Sequence, residues 1–327
     1  MKKSFIYVGI DISKKSFDVA VYTENGTWTC KKFTNDNKGF AAFKQLLNPQ
    51  VHWCVMEASG PYYLKLATFL FDNKIGISII NPLVIRRFSQ MRMTRTKTDK
   101  KDAIIISQYG HAEMPAAWTP EPSYILELNQ MQAYCDQLIK SRQRLSNQLG
   151  AFEVNTSPCK IVITSLKKQI HSFDKQIQMI ESEMLRVIKD NHVSQFDHLK
   201  SIPGVGPKTA LAFIVTTNGF SKFQNAKQVS SYVGLSPRIF ESGTSVKGKS
   251  RICKMGMARI RALLYLCAMS AKKCNRACKE LYDRLVEKGK PKMVALIAVA
   301  NKLIKQAFAI ATSNTYYDKN IANIICK

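Results

Sequence analysis

The sequence predicts a fold of the α/β plus α class, with a sheet-containing domain followed by two mainly helical regions. Short apolar or alternating segments, separated by turn residues, fill residues 4–80, as is typical of strands. A proline-rich stretch at 115–122 follows. Beyond it, apolar residues recur at the three- and four-residue spacing of amphipathic helices. We therefore expect three domains, at residues 1–120, 121–197 and 198–327.

The charge balance indicates a polyanionic partner. The 327 residues include 49 Lys and Arg against 23 Asp and Glu, a formal net charge of +26. This excess is too large for an ordinary metabolic enzyme and favours nucleic acid. An anionic membrane surface is the alternative, but we find no signal peptide and no apolar run of transmembrane length. Nine cysteines without a C-x-x-C pair suit free thiols in a reducing cytoplasm.

Three strands open the chain. Residues 4–12 are an apolar run interrupted by Asp11, and residues 17–22 alternate as a second strand. Asn25-Gly26 is a strong hairpin signal leading into a third strand at 27–33. Three antiparallel strands with an acid inside the first are the opening of the ribonuclease H-like fold. An acid in such a run is costly unless it is paired or metal-bound.

The remaining elements of this domain place a second acid at a strand end. A helix is expected at 38–47, and the strand at 51–56 ends in Glu57, where open α/β sheets place their chemistry. Pro61 suits the first position of a further helix. Another strand is predicted at 77–80.

Two more acids, Asp99 and Asp102, begin a predicted helix capped by Thr98. They lie three residues apart, on one helical face. They are embedded in a basic run: Arg86, Arg87, Arg92, Arg95, Lys97, Lys100 and Lys101. Of these we expect Arg92, Arg95 and Lys97 to contact nucleic acid. An ordinary helix start with acids in its first turn is the alternative.

Together, the four acids predict a divalent metal site. Asp11, Glu57, Asp99 and Asp102 supply oxygen donors of the kind that hold one or two Mg²⁺ ions in phosphodiester chemistry, with Mn²⁺ as the substitute. The alternative requires each acid to be satisfied separately. That alternative is least tenable for Asp11 inside its apolar strand.

The middle region is predicted to be a helical arm. Apolar residues keep the coiled-coil spacing over 128–152 and again over 163–187, with a break at Thr156-Ser157-Pro158. Two such helices suggest an antiparallel hairpin that acts as a spacer or dimerisation arm. Two helices packed in a globular bundle are the alternative.

The last region is the most basic, with 23 Lys and Arg against 5 Asp and Glu over residues 199–327. Residues 199–210 predict a helix-hairpin-helix. In it Gly204 and Gly206 would let the backbone approach a phosphate, and Lys208 would lie on the following helix. A plain glycine-rich turn is the alternative. Two more helices are expected, at about 255–275 and 291–311.

Residues 236–251 form a small polar loop, crowded by basic side chains. Its cations are Arg238, Lys247, Lys249 and Arg251. A serine here is either a phosphate-binding hydroxyl or a nucleophile. Phosphate binding is favoured by the residues alone, because nothing local supplies a base. Chemistry does not separate Ser242 from Ser245.

Three blocks of the chain together resemble the DEDD transposases of the Piv and insertion-sequence one-ten type, over nearly the whole length. The first block joins Gly9-Ile10-Asp11 to Glu57-Ala58-Ser59-Gly60, and the second runs from Asn81-Pro82 to Ala103. The third comprises Ile202-Pro203-Gly204-Val205-Gly206, Gly234-Leu235-Ser236-Pro237 and Glu241-Ser242-Gly243.

The resemblance implies a RuvC-like domain, a coiled-coil spacer and a C-terminal transposase domain. It implies that the four acids bind magnesium and that Ser242 attacks DNA to give a covalent phosphoserine intermediate. The implied partners are double-stranded donor and target DNA, a structured bridge RNA and further copies of the chain, as a dimer or tetramer. The expected location is the bacterial cytoplasm, at the nucleoid.

Two rival functions are compatible with the same residues. A junction-resolving nuclease would use the acids with water as the nucleophile. A non-catalytic regulator would bind nucleic acid on a degenerate ribonuclease H-like scaffold.

Overall fold

The structure is a computed structural model that describes residues 5–23, 25–93, 98–238, 241–242, 246–247 and 251–318. For 241–242 and 246–247 it describes the backbone alone. The chain divides into two compact units, Met1–Glu121 and Pro122–Lys327. The expected split of the second unit into an arm and a terminal domain stays a prediction.

The first unit contains one five-stranded sheet and four helices. Its strands are β1 (Ile6–Ile12), β2 (Ser16–Tyr22), β3 (Trp28–Thr34), β4 (His52–Glu57) and β5 (Gly76–Ile80). Its helices are α1 (Asn37–Lys44), α2 (Tyr63–Asp72), α3 (Pro82–Met91) and α4 (Asp99–Glu113). All five predicted strands are therefore present within about two residues of their expected bounds; α3 was not predicted.

The strand order is β3-β2-β1-β4-β5. Strands β1, β2 and β3 pair antiparallel, whereas β4 runs parallel to both β1 and β5. This mixed sheet is consistent with the predicted ribonuclease H-like, RuvC-like fold.

Successive residues of β1 point to opposite faces of the sheet. Val8 and Ile10 pack in a cluster with Phe40 of α1 and Leu66 of α2. Tyr7 packs in a separate cluster with residues of α3 and α4. By this alternation Asp11 lies on the face that α4 covers.

Gly9 fixes the position of α4 on that face. A Cβ atom at Gly9 would lie 2.0 Å from the carbonyl oxygen of Ala103 and 2.3 Å from the amide nitrogen of Ser107. The Ser107 hydroxyl donates a hydrogen bond to the Tyr7 carbonyl at 2.5 Å. The backbone of α4 therefore rests directly on β1, a contact that only glycine permits.

The second unit is mainly helical. Its helices are α5 (Ser123–Glu153), α6 (Lys160–Lys200), α7 (Pro207–Thr217), α8 (Ala226–Val233), α9 (Ala258–Cys274), α10 (Arg276–Glu287) and α11 (Lys292–Ser313). Four two-residue strands lie between α8 and α9: β6 (Pro237–Arg238), β7 (Glu241–Ser242), β8 (Val246–Lys247) and β9 (Arg251–Ile252).

The predicted pair of long helices is present and antiparallel. Arg142 Nε lies 2.8 Å from Asp174 Oδ1, and Lys167 Nζ lies 2.8 Å from Glu153 Oε1. These pairs connect the end of α5 to the beginning of α6, as an antiparallel arrangement requires. A role as a coiled-coil spacer or dimerisation arm stays a prediction.

Three features of this unit differ from the sequence-based expectation. Helix α6 continues to Lys200, beyond the predicted 187, with non-helical backbone angles at His192. The expected helix at 255–275 ends at Cys274, and Asn275 begins α10 by accepting a hydrogen bond from the Cys278 amide. Helices α8 and α10 had no counterpart in the prediction.

By length and composition alone, one described helix could cross a membrane. The expectation that the chain has no apolar run of transmembrane length is therefore wrong. Among the described residues, α11 has 22 residues, and its most apolar window has a mean hydropathy of 1.6. Half of that window is buried. Leu296, Val299 and Leu303 belong to the main core of the second unit, so α11 is a core helix of this fold.

We predict that Gly9→Ala destabilises the first unit by about 3 kcal/mol, because the new methyl group would overlap the backbone of α4. All three tryptophans, Trp28, Trp53 and Trp118, lie in this unit. Their fluorescence during urea denaturation therefore reports on it selectively.

Gly150→Ala is the matched control for this prediction. A Cβ atom at Gly150 meets nothing within 4 Å, and Gly150 lies in α5 of the second unit. The substitution Gly150→Ala should therefore leave the tryptophan transition of the first unit unchanged. Equal stability of Gly9→Ala and the wild type would contradict the proposed contact between α4 and β1.

Candidate functional site

The structure brings Asp11 close to the other predicted acids at one end of the sheet. In the parallel pairing of β1 and β4, Ile10 lies opposite Met56, so Asp11 and Glu57 occupy the next positions. The packing of Ala103 against Gly9 places the first turn of α4, with Asp99 and Asp102, over the same end of β1. We call these four residues the acidic site.

The electrostatics of Asp11 show how much negative charge gathers there. Burial first, and then the carboxylates of Asp102, Asp99, Glu57 and Asp18 in that order, together raise its pKa from the ordinary 3.8 to about 6. A raised carboxyl pKa means that the ionised form is disfavoured by its surroundings. A bound cation would relieve this repulsion.

Asp18 is a further acid of this region that the sequence analysis did not single out. It is only 6% exposed and lies opposite Asp11 in the β1–β2 ladder. A two-residue turn at Asn25-Gly26 would pair Asp18 with Phe33, one residue away from the pairing with Lys32 that the structure shows. The turn signal alone therefore does not find the partner of Asp18.

Lys32 supplies positive charge beside the acidic site. Its ammonium nitrogen lies 3.3 Å from Asp18 Oδ2 and 3.9 Å from Asp99 Oδ2. The lysine side chain is more than half exposed. It therefore links a buried carboxylate of β2 to the exposed first turn of α4.

The predicted helix start at Asp99 is confirmed. The Thr98 hydroxyl accepts a hydrogen bond from the Lys101 amide at 3.3 Å, and α4 begins at Asp99. Acids in the first turn are favoured by the helix dipole. The ordinary helix start and the acidic site are thus compatible at these positions.

The donors of the acidic site suit a hard divalent cation. Carboxylate oxygens are the ligands that Mg²⁺ and Mn²⁺ prefer. Within the part of the chain that the structure describes, no group of three or more His, Cys, Asp or Glu side chains is arranged to hold a metal ion. The Asp99 side chain is 72% exposed, and it can move without breaking core packing.

The predicted loop at 236–251 contains a β-hairpin, so the expectation of a loop throughout was wrong. Pro237 and Arg238 pair with Ile252 and Arg251, and closer to the tip Ser242 pairs with Val246. Arg238 and Arg251 lie opposite each other and are exposed. Backbone pairing within a basic segment replaces the irregular structure that its glycines suggested.

Several predicted contacts of this hairpin lie beyond what the structure describes. The backbone places Ser242 beside the hairpin tip, and its side chain is outside the described atoms. The same holds for the Lys247 side chain, and Lys249 is outside the described residues altogether. Their roles stay predictions.

The predicted turn between two helices is present at 201–206, between α6 and α7. Gly204 has φ +98°, and a Cβ atom there would lie 2.7 Å from the Ala271 Cβ. Close packing on α9 therefore explains Gly204. Gly206 is exposed before α7, and Lys208 Nζ lies 2.6 Å from Glu181 Oε1. Phosphate binding by these residues stays a prediction.

Of the three predicted cations between α3 and α4, the structure describes Arg92. It is exposed at the end of α3, and its guanidinium carbon lies 5.3 Å from the centroid of the Phe88 ring. Arg95 and Lys97 lie outside the described residues. Contact of all three with nucleic acid stays a prediction.

Two family models match the chain. One, described as a transposase family of the DEDD and IS110 type, matches residues 8–154. The other, described as the transposase IS116/IS110/IS902 family, matches residues 197–283. The first range contains the acidic site, and the second contains the turn at 201–206 and the hairpin with Ser242.

Curated relatives cover almost the whole chain. A pilin gene-inverting protein of Moraxella bovis is 31% identical over 96% of this chain and 98% of its own length. A transposase for insertion sequence element IS1111A of Coxiella burnetii is 25% identical over 96% of this chain and 92% of its own length. A transposase for IS1328 of Yersinia enterocolitica is 24% identical over 95% and 98%.

We predict that Asp11→Asn stabilises the first unit in metal-free buffer. The pKa of folded Asp11, about 6, lies above its ordinary 3.8. Ionisation of Asp11 therefore costs the folded state nothing at low pH. This cost in stability grows as the pH rises from 3.8 to about 6. We expect a gain of about 1–2 kcal/mol near pH 8, allowing for solvent screening, and none near pH 3.

Tryptophan fluorescence during urea denaturation at several pH values measures this effect. Asp36→Asn is the control, because the Asp36 carboxylate accepts a hydrogen bond from Gly39 at 2.9 Å and its pKa is lowered. No gain is expected there. A pH-independent difference between Asp11→Asn and the wild type would contradict the electrostatic interpretation.

Proposed function

We propose that this chain, which belongs to the IS110 family of transposases, recombines donor and target double-stranded DNA through a covalent phosphoserine intermediate. Family membership identifies it as a DNA recombinase or transposase with DNA as its substrate. The family also suggests dependence on a divalent metal ion. The nucleophile, the guide and the assembly are our proposals.

One observation supports the catalytic proposal above the others: the raised pKa of Asp11, which burial and four nearby carboxylates produce. Carboxyl groups whose pKa is raised by burial and by neighbouring carboxylates are concentrated at functional sites. Because Asp11 is fixed by β1 and Glu57 by β4, the sheet holds two donors rigidly. The first turn of α4 supplies the other two.

We assign Asp11, Glu57, Asp99 and Asp102 as the ligands of Mg²⁺ or Mn²⁺. Such an ion, when bound, supplies Lewis acidity toward a phosphate and eases deprotonation of a hydroxyl. Lys32 holds Asp18 and Asp99, and it thereby limits the repulsion within the metal-free site.

We assign Ser242 as the nucleophile. Its oxygen forms a bond to phosphorus, the bond from phosphorus to a sugar oxygen breaks, and that oxygen leaves as a DNA hydroxyl after taking a proton. Attack by a hydroxyl of the other DNA on the phosphoserine reverses these changes and rejoins the strand. The exposed Arg238 and Arg251 suit the charge of the phosphate being attacked.

The remaining partners follow from charge and architecture. We propose a structured bridge RNA as guide, and the basic residues 199–327 suit its backbone. We propose that α5 and α6 form a coiled-coil dimerisation arm in a dimer or tetramer, between domains at 1–120 and 198–327. The proposed location is the bacterial cytoplasm, at the nucleoid. If the purified protein carries no RNA that pairs with both the donor and the target DNA, the proposal of an RNA guide is refuted.

We predict that Ser242→Ala abolishes both DNA cleavage and the covalent adduct, lowering the rate more than about 10³-fold because the nucleophile is lost. The measurement is protease digestion of trapped reactions, followed by mass spectrometry of the DNA-linked peptide. Ser245→Ala is the control and should keep both activities. Continued cutting by Ser242→Ala would identify a water-using nuclease instead.

The same assay addresses a non-catalytic regulator. Asp11→Ala should abolish cleavage while leaving DNA binding measurable, because Asp11 lies on the sheet and away from the basic second unit in sequence. A chain that never cleaves DNA, with or without Asp11, would be a regulator.

We predict that Mn²⁺ or Mg²⁺ raises the melting temperature of the first unit, followed by tryptophan fluorescence. A ligand at ten times its Kd stabilises the folded state by about 1.4 kcal/mol. The shift should vanish in Asp102→Asn and persist in Asp36→Asn. It should weaken as pH falls through about 6, because a protonated Asp11 is a poor metal ligand. An equal shift in Asp102→Asn would refute this metal assignment.

A further inference from the structure

A cleft of about 590 Å³ lies between α10 and α11 of the second unit. It is lined by Ala277, Glu280, Leu281, Arg284, Ala298, Asn301, Lys302 and Lys305. We call it the basic cleft. Its polar residues Arg284, Asn301, Lys302 and Lys305 lie beyond residue 283, where the second family match ends.

The charge of the basic cleft is positive. Arg284, Lys302 and Lys305 line it. The one acid in the lining, Glu280, forms an ion pair with Arg276, which is not a lining residue. Arg276 Nε lies 2.9 Å from Glu280 Oε1. Among the ion pairs between described residues, none involves the three cations of the cleft. Their charge is therefore available to an anionic ligand.

Asn301 adds an oriented donor to these cations. The Ser230 hydroxyl donates a hydrogen bond to the Asn301 side-chain oxygen. With the oxygen edge of the amide fixed toward α8, the opposite edge presents N–H groups. An amide donor beside three cations favours an anion with several oxygen acceptors, which is the pattern of phosphate sites.

The apolar lining leaves room between the two helices. Ala277 on α10 and Ala298 on α11 are small, and Leu281 lies one helical turn from Ala277. Residues 302 and 305, and likewise 277 and 281, share helical faces. The basic cleft is thus a groove along the helix pair with its cations on both sides, a shape suited to an elongated anion.

We propose that the basic cleft binds the phosphodiester backbone of nucleic acid, with Arg284, Lys302 and Lys305 on the phosphate oxygens and Asn301 as a donor between them. This inference rests on the proposed function for the presence of DNA and RNA. The residues of the basic cleft belong neither to the acidic site nor to the hairpin, and their contacts would carry no base specificity.

The test measures binding without chemistry, in metal-free buffer that contains a chelator. The full chain is titrated with a fluorescent DNA duplex and, separately, with a fluorescent stem-loop RNA, over a series of salt concentrations. The variant Arg284→Gln/Lys302→Gln/Lys305→Gln is compared with the matched control Lys288→Gln/Lys290→Gln/Lys292→Gln. The control removes the same charge from exposed residues at the junction of the same two helices.

We expect the cleft variant to bind at least one of the two ligands about tenfold or more weakly than the control. Loss of three phosphate contacts should also reduce the salt slope by about 2–3. The arm that shows the change identifies the ligand as DNA or RNA. Equal affinities and slopes for the cleft variant and the control, in both arms, would overturn the proposal.

Asn301→Asp gives a second test that does not depend on the triple variant folding. The carboxylate keeps an acceptor for Ser230 but replaces the donor edge by a negative charge. We expect weaker binding of the same ligand, and unchanged binding would count against the site. Because no cleavage is needed, failure of the Ser242 chemistry leaves these results interpretable.

Discussion

The contact between Gly9 and the backbone of α4 is the constraint on which the first unit depends. The atoms nearest to a Cβ atom at Gly9 would be the Ala103 carbonyl oxygen and the Ser107 amide nitrogen. Both are backbone atoms of a helix and cannot move away as a flexible side chain could. Since Asp102 directly precedes Ala103, and Asp11 follows Gly9 on the same face of β1, this contact determines how close the acids come. The geometry of the acidic site is thus a consequence of a packing requirement at a residue with no side chain.

That arrangement stores electrostatic repulsion in a chain whose overall charge is strongly positive. The net charge of +26 does not neutralise Asp11, because burial and adjacent carboxylates control its pKa and distant surface cations are screened. Among the described residues, Lys32 reaches both Asp18 and Asp99. The acidic site therefore remains a local concentration of negative charge in a strongly basic chain.

The sequence predicted what depends on periodicity, and less of what depends on contacts between distant segments. All five strands of the first unit and the long helices follow from local spacing, and Asp11 was identified because it interrupts an apolar run. Asp18 was missed because its importance comes from the register with Asp11 and Lys32. Gly204 was assigned to phosphate binding, although its contact with Ala271 is visible only after folding.

In the second unit, one buried side chain sets the spacing of the two helices that line the basic cleft. Asn275, 1% exposed, accepts a hydrogen bond from the Cys278 amide and donates one to Gln306 Oε1 at 3.0 Å. The first bond fixes the start of α10. The second reaches Gln306, the residue after Lys305, and fixes the distance between α10 and α11. Tyr317 also donates to Asn275 Oδ1 at 3.2 Å. The separation of the two helices that line the basic cleft is therefore held by a network of buried hydrogen bonds, in which the Gln306 Nε2 amide is buried without a partner among the described residues. Breaking a bond of this network would leave a further buried donor or acceptor unpaired, which is costly.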